Sequence, residues 1–296
     1  MQRVRKLIHI DAARKQNLTG KSIGVGVLDS GVFLHEDYFD RVTAFYDFTK
    51  ERSQKPKDDT GHGTHVCGII AGDGTGSRGM YTGIAPGCHL CVGKILNRDG
   101  EGDMAMLIEG MKWLLSISSE YRIKVINISI SSLYFLDEAK KKHVFDLFEK
   151  AYKQGILVVT AAGNSGPSGS SVSKLGDSPY VICVGCHEGK ESNLFAQKCQ
   201  DCSGRGPGTL VYRKPDIVAP GTEIMSCAMG TYKYMRKSGT SMATPIISGV
   251  LALAMEKYPD MGTQELKRKL IFSADDLGEN FLIQGFGMVN VQKFLR

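Results

Sequence analysis

The 296-residue sequence lacks any uninterrupted apolar run of about 18 residues, so no stretch of it reads as a membrane span. It also lacks a Pro- or Ser-rich linker, a low-complexity tract and an internal repeat. Those absences favour one domain over residues 1–296, a size that α/β folds reach around one core. A strong excess of one charge is missing too: the net charge is +6. The densest basic run, Lys140-Lys141-Lys142, falls among helix-spaced apolar residues (Ala139, Val144, Leu147, Phe148, Ala151) and reads as a solvated helix face, not a nucleic-acid footprint. Near the N-terminus the apolar stretch from Leu7 to Ile10 is too short for a signal-peptide core. The expectation is a cytoplasmic chain without membrane or nucleic-acid partners, with secretion as the alternative if a targeting segment has been trimmed. Oligomeric state is not legible.

What is present is globular: 42% of the residues are hydrophobic, too many for disorder. Apolar, β-branched runs at 23–28, 88–95, 125–130, 156–160 and 180–184 alternate with helical patterns at 65–71, 104–117, 137–154 and 246–255. Strands that are continuously apolar are buried on both faces. They predict a mainly parallel sheet between two helical layers, a three-layer α/β/α fold, with sites at the carboxyl ends of the strands. Asp29 and the turn Ala161-Ala162-Gly163-Asn164 both fall there.

Four residues invite a chemical reading, and each has a bland one beside it. Ser241 precedes an apolar helix, where free N–H groups favour developing negative charge, yet a capping serine sits there too. Pro245 is expected near the first turn of that helix, where its missing N–H costs little. His62 lies just before another apolar helix; with His65 it suggests a metal pair, but no H-E-x-x-H pattern is present. Asp29 suits a turn cap, and Asn164 suits a turn asparagine.

Their combination is more specific. The segments Val27-Leu28-Asp29-Ser30-Gly31, Gly61-His62-Gly63-Thr64-His65-Val66 and Gly239-Thr240-Ser241-Met242-Ala243-Thr244-Pro245 resemble the three signatures of the subtilisin family, in that family's order of acid, base and nucleophile. The last, seven residues long, has a chance frequency on the order of 10⁻⁹ per position. Gly83-Ile84-Ala85-Pro86 and residues 214–221 resemble family segments as well, so the likeness runs along nearly the whole chain. It implies a subtilisin-like serine endopeptidase with Asp29, His62 and Ser241 as catalytic triad and Asn164 in the oxyanion hole. It further implies that an extended peptide or protein substrate lies along Gly100, Glu101 and Gly102 and along Ser129, Ile130 and Ser131, with Ala161 and Gly163 beside it. Ser131 replaces a glycine that lines the family's primary specificity pocket, which puts a preference for large apolar residues in doubt.

The resemblance implies no cofactor for the chemistry. Asp37 resembles a calcium-binding aspartate of the family, but the loop at 72–79 does not match, and metal is left unassigned. Of the eight cysteines, six form Cys-x-x-Cys pairs: Cys88/Cys91, Cys183/Cys186 and Cys199/Cys202. The last two pairs have zinc-ribbon spacing, but Cys183 and Cys186 belong to a strand and face opposite sides. Buried small thiols are expected, with Cys67, close behind His62, as a point of sensitivity to thiol reagents. No stretch reads as a large pro-region; residues 7–10 match the start of the family's mature domain better than a short inhibitory segment.

Three rivals are weighed. An α/β-hydrolase esterase would need a Gly-x-Ser-x-Gly elbow and the order Ser, acid, His, and Ser241 offers neither. A catalytically silent peptide-binding homologue would be signalled by loss of a triad residue. A dedicated precursor-processing protease, in place of a broad degradative one, is left open by Ser131.

Overall fold

A computed structural model describes residues 1–130, 138–189, 198–206, 213–231 and 233–296. Seven parallel strands form the central sheet: β1 (Gly24–Asp29), β2 (Val42–Asp47), β3 (His89–Lys94), β4 (Ile123–Ile128), β5 (Leu157–Ala161), β6 (Val181–Cys186) and β7 (Ile217–Ala219). Their order is β2-β3-β1-β4-β5-β6-β7, so the first strand lies inside the sheet with β3 and β4 as neighbours. Two further strands, β8 (Ile224–Cys227) and β9 (Tyr234–Lys237), make a small antiparallel ribbon.

Alternation along each buried strand sorts side chains into two apolar layers. Val25, Val27, Val125, Val159 and Val184 join one core with the helices α3 (His62–Ala71) and α6 (Thr240–Lys257). Leu28, Ile126, Ile128 and Val158 join a second core with α4 (Met104–Ile117) and α5 (Glu138–Lys153). This is the three-layer α/β/α arrangement expected from the continuous apolar runs. Short helices α1 (Gln2–Leu7) and α2 (Asp11–Arg14) precede β1, and α7 (Thr263–Phe272) follows α6.

Helix α6 is the spine of the first layer. Every residue from Thr240 to Met255 is buried, as a helix apolar all round must be. Gly249 makes this possible where α6 crosses the loop after α3: a β-carbon there would lie 2.6 Å from that of Ile84. Pro245 departs from expectation. It is the sixth residue of α6, inside the helix. Lacking an N–H, it cannot donate to the carbonyl of Ser241 four residues back, so the helix is loosened beside that serine. His62 also differs, being the first residue of α3 and not a residue ahead of it.

The basic run at 140–142 lies on the outward face of α5, where Lys141 pairs with Glu138 and Lys142 with Asp146. All eight cysteines are free, seven of them buried. Cys183 packs with Ala162 and Val172 while Cys186 joins the first core, the opposite-face placement that strand geometry requires. Cys67 does not bear out the expected thiol sensitivity: it is wholly buried, and that burial pushes its pKa well up. Among the described residues no helix is long and apolar enough to cross a membrane.

Candidate active site

Asp29 ends β1 and is fully buried. Its Oδ1 accepts the backbone N–H of Ser30 at 2.7 Å and lies 2.7 Å from Nδ1 of His62. Gly63 allows that approach, because a β-carbon there would lie 2.1 Å from the carbonyl oxygen of Gly31. With Nδ1 committed to the carboxylate, Nε2 of His62 is left to face a reactant. Burial works against the charged imidazole. The charge of Asp29, and then its hydrogen bond, outweigh that and hold the His62 pKa above its ordinary value. Lys237, at the end of β9, acts in the opposite sense through its own positive charge.

His65, one turn along α3, does different work. Its Nε2 lies 3.0 Å from the Ile224 carbonyl and 3.1 Å from that of Met235, tying β8 and β9 to the helix. Burial lowers its pKa to about 3, so it is neutral. His62 and His65 therefore do not act as a metal pair.

Ser241 is the second residue of α6, 9% exposed. Backbone N–H groups in the first turn of a helix have no intrahelical partner, so that of Ser241 is available to a ligand. Among the described residues no hydrogen bond joins Ser241 to His62, a contact that commonly tightens only on substrate binding. Asn164, exposed after β5, is oriented from the same turn. Its Oδ1 accepts the N–H of Thr240 at 3.0 Å and the Thr240 hydroxyl at 3.1 Å. The backbone N–H can only donate, which fixes the amide and leaves its NH₂ turned away from Thr240. The Thr240 hydroxyl also lies 3.2 Å from the N–H of Gly163.

Of the residues expected along a substrate, Gly100 and Glu101 belong to a loop ordered by Asn97. The side-chain oxygen of Asn97 accepts from Asp99 and Glu101, and its N–H donates to the Glu101 carbonyl. Gly102 packs against Ile95 and Leu96. Ser129 and Ile130 are buried beyond β4, and the Ser129 hydroxyl accepts from Asn127, which in turn accepts from Ser248 of α6. Ala161 ends β5, and Gly163 follows it on the chain. Ser131 lies outside the described residues. A cavity of about 430 Å³ between Ile23, Arg122, Tyr258 and Leu266 holds none of these groups; it lies where the strands begin.

Three neighbours of the site were not singled out in the sequence: Asp58, Lys94 and Thr240. Lys94 is fully buried, paired in register with Asp29; its ammonium donates to the carbonyls of Ser30 and Leu96 and lies 2.9 Å from Asp59. An Asp-x-x-Gly turn before His62 was the available signal for Asp58.

Calcium does not fit at Asp37. Its carboxylate is met by the N–H of Gly76 and the hydroxyl of Tyr234, both at 2.9 Å, and by the Cys227 thiol. These are donors, where a calcium ion would need a shell of oxygen acceptors. Arg41 donates to the Asp37 and Ala71 carbonyls. His35, Asp37 and Cys227 do converge within 4.8 Å. Even so, the two ring nitrogens of His35 are already engaged by the Asp37 N–H and the Lys233 carbonyl.

Comparison with known proteins identifies the family to which this fold belongs. The model of the subtilase family matches residues 20–289. The serine protease AprX of Bacillus subtilis is 36% identical over 94% of this chain and 67% of its own length. Subtilisin DY of Bacillus licheniformis is 31% identical over 97% of this chain and 95% of its own. Among solved structures, sphericase superposes with a TM-score of 0.79 at 27% identity, covering 93% of each chain. The chain belongs to the subtilase family and is a serine endopeptidase of the subtilisin type.

Proposed function

We propose that residues 1–296 act as one peptidase domain that cleaves peptide bonds through an acyl-enzyme on Ser241, with His62 as base, Asp29 as its orienting partner and Asn164 in the oxyanion hole. The observation that carries this reading is the 2.7 Å contact between Asp29 and His62 Nδ1. A serine hydroxyl is a weak nucleophile at neutral pH, so a neutral imidazole must take its proton as the oxygen attacks. His62 then returns that proton to the leaving amine. Asp29 keeps His62 in the tautomer with Nδ1 protonated and stabilises the imidazolium, without taking the proton itself.

The tetrahedral intermediate carries a negative oxygen. The amide NH₂ of Asn164 and the N–H of Ser241 would bind it, and because Thr240 already holds the amide, little reorganisation is needed. The substrate would extend along Gly100–Gly102 and Ser129–Ser131, with Ala161 and Gly163 beside it, adding its backbone to strand edges.

Intact mass after incubation with a fluorophosphonate tests the assignment. One adduct on the wild type and none on Ser241→Ala is expected. An adduct that persists on Ser241→Ala, or none on the folded wild type, would overturn it.

A further inference from the structure

One carboxylate behind the site is bound to both segments that carry the acid and the base. Asp58 Oδ1 accepts the Ser30 hydroxyl at 2.8 Å, the Gly61 N–H at 3.0 Å and the Thr60 N–H at 3.1 Å. Its Oδ2 accepts the Thr64 hydroxyl at 2.6 Å and the Thr64 N–H at 2.9 Å. Ser30 is the neighbour of Asp29; Gly61 and Thr64 flank His62. The Ser30 hydroxyl completes the circuit by accepting the N–H of Gly63 at 2.9 Å. We propose that Asp58 is a positioning residue that sets the separation of Asp29 and His62, while itself touching neither substrate nor reacting atoms. The inference rests on the triad assigned above.

Three features support a role beyond ordinary packing. Among the described residues every donor aimed at Asp58 is neutral, so no cation is spent on its charge. Burial opposes that charge, and the hydrogen bonds, those of Thr64 first, more than offset it and keep the Asp58 pKa below its usual value. The turn at Ser30 is held a second time, from the other side, by the buried ammonium of Lys94. With Ser30 fixed by Lys94, any slack at Asp58 must appear in the 60–64 segment, and therefore at His62. A displacement near 1 Å in such a pair costs about 10²-fold in rate.

The test is kinetic. Asp58→Asn keeps one acceptor but turns an NH₂ toward donors. It is expected to lower kcat about 10–10²-fold with KM changed less than about twofold. The acid limb of the pH profile should move to lower pH, because Asp58 is one of the negative charges, with Asp29, that raise His62 against burial and Lys237. In a His62→Ala background the same substitution should leave the residual rate unchanged. An equal drop in that background, or a folded Asp58→Asn with wild-type kcat, would overturn the proposal. Full activity of His62→Ala alone would instead overturn the triad. Should Asp58→Asn fail to fold, Ser30→Ala and Thr64→Val each remove one contact, and an unchanged kcat in both would count equally against it.

Discussion

The N–H and the hydroxyl of Thr240 converge on the side-chain oxygen of Asn164, at 3.0 and 3.1 Å. The residue next to the proposed nucleophile therefore aims the amide that would meet the oxyanion. Asn164→Ala should lower kcat by about 10²–10³-fold with little change in KM, the range seen when one oxyanion donor is removed from a subtilisin. Thr240→Val, which keeps the N–H and loses the hydroxyl, should fall between that variant and the wild type in steady-state assays on one peptide.

Lys237 lowers the His62 pKa and has no carboxylate bonded to it among the described residues. In the proposed mechanism activity requires neutral His62, so the acid limb of kcat/KM follows that pKa. Lys237→Met removes a positive neighbour, raises the His62 pKa and should move the acid limb to higher pH. A limb that stays in place or moves down would show that the charge is not felt at the imidazole.

Acid should weaken the fold through Asp58 and Asp216. Burial opposes ionisation of Asp216, yet the charge of Lys214, 2.7 Å away, and then that of Lys267 hold its pKa below the usual carboxylate value. A carboxylate with a depressed folded pKa stabilises the protein above its unfolded pKa and loses that contribution as pH falls through the folded one. Urea midpoints should thus hold near neutrality and decline below about pH 4. Asp216→Asn leaves the buried Lys214 unpaired and should cost about 3–5 kcal/mol at neutral pH.

At Asp37 the donors Gly76, Tyr234 and Cys227 occupy the directions a metal would need. Loading with calcium should leave the melting temperature of the wild type and of Asp37→Asn offset by the same amount as in EGTA. Tyr234→Phe should cost about 1 kcal/mol or slightly more by removing one hydrogen bond to a charged group. A calcium-dependent rise in melting temperature that disappears in Asp37→Asn would contradict this account.

The buried parallel strands and the four residues of the candidate site stood out because each leaves a local mark: a β-branched run, or a motif with glycines at fixed places. The rest of the sheet was not. In β2, residues 42–47 are mostly half-exposed, with only Asp47 buried, so Val42, Ala44 and Phe45 give no continuous apolar run. Strand β7 is only three residues long, and the β8–β9 ribbon mixes Ser226, Arg236 and Lys237 with apolar residues. Lys94 was invisible for another reason. Its ammonium meets Ser30, Leu96 and Asp59, and only the register of β3 against β1 sets Lys94 beside Asp29 and the turn at Ser30. Pro245 was placed too near the helix start because the pattern showed the apolar run from Ile246 but not the residues Thr240 to Pro245 that begin α6.

Helix α6, which packs across β1, β4, β5, β6 and β7, also orders events in time. Asp29 and His62 sit on β1 and at the head of α3, whereas Ser241 sits on an element that reaches its seat only once the strands beneath it have assembled. On the triad proposed above, competence for hydrolysis follows assembly of the sheet and does not precede it.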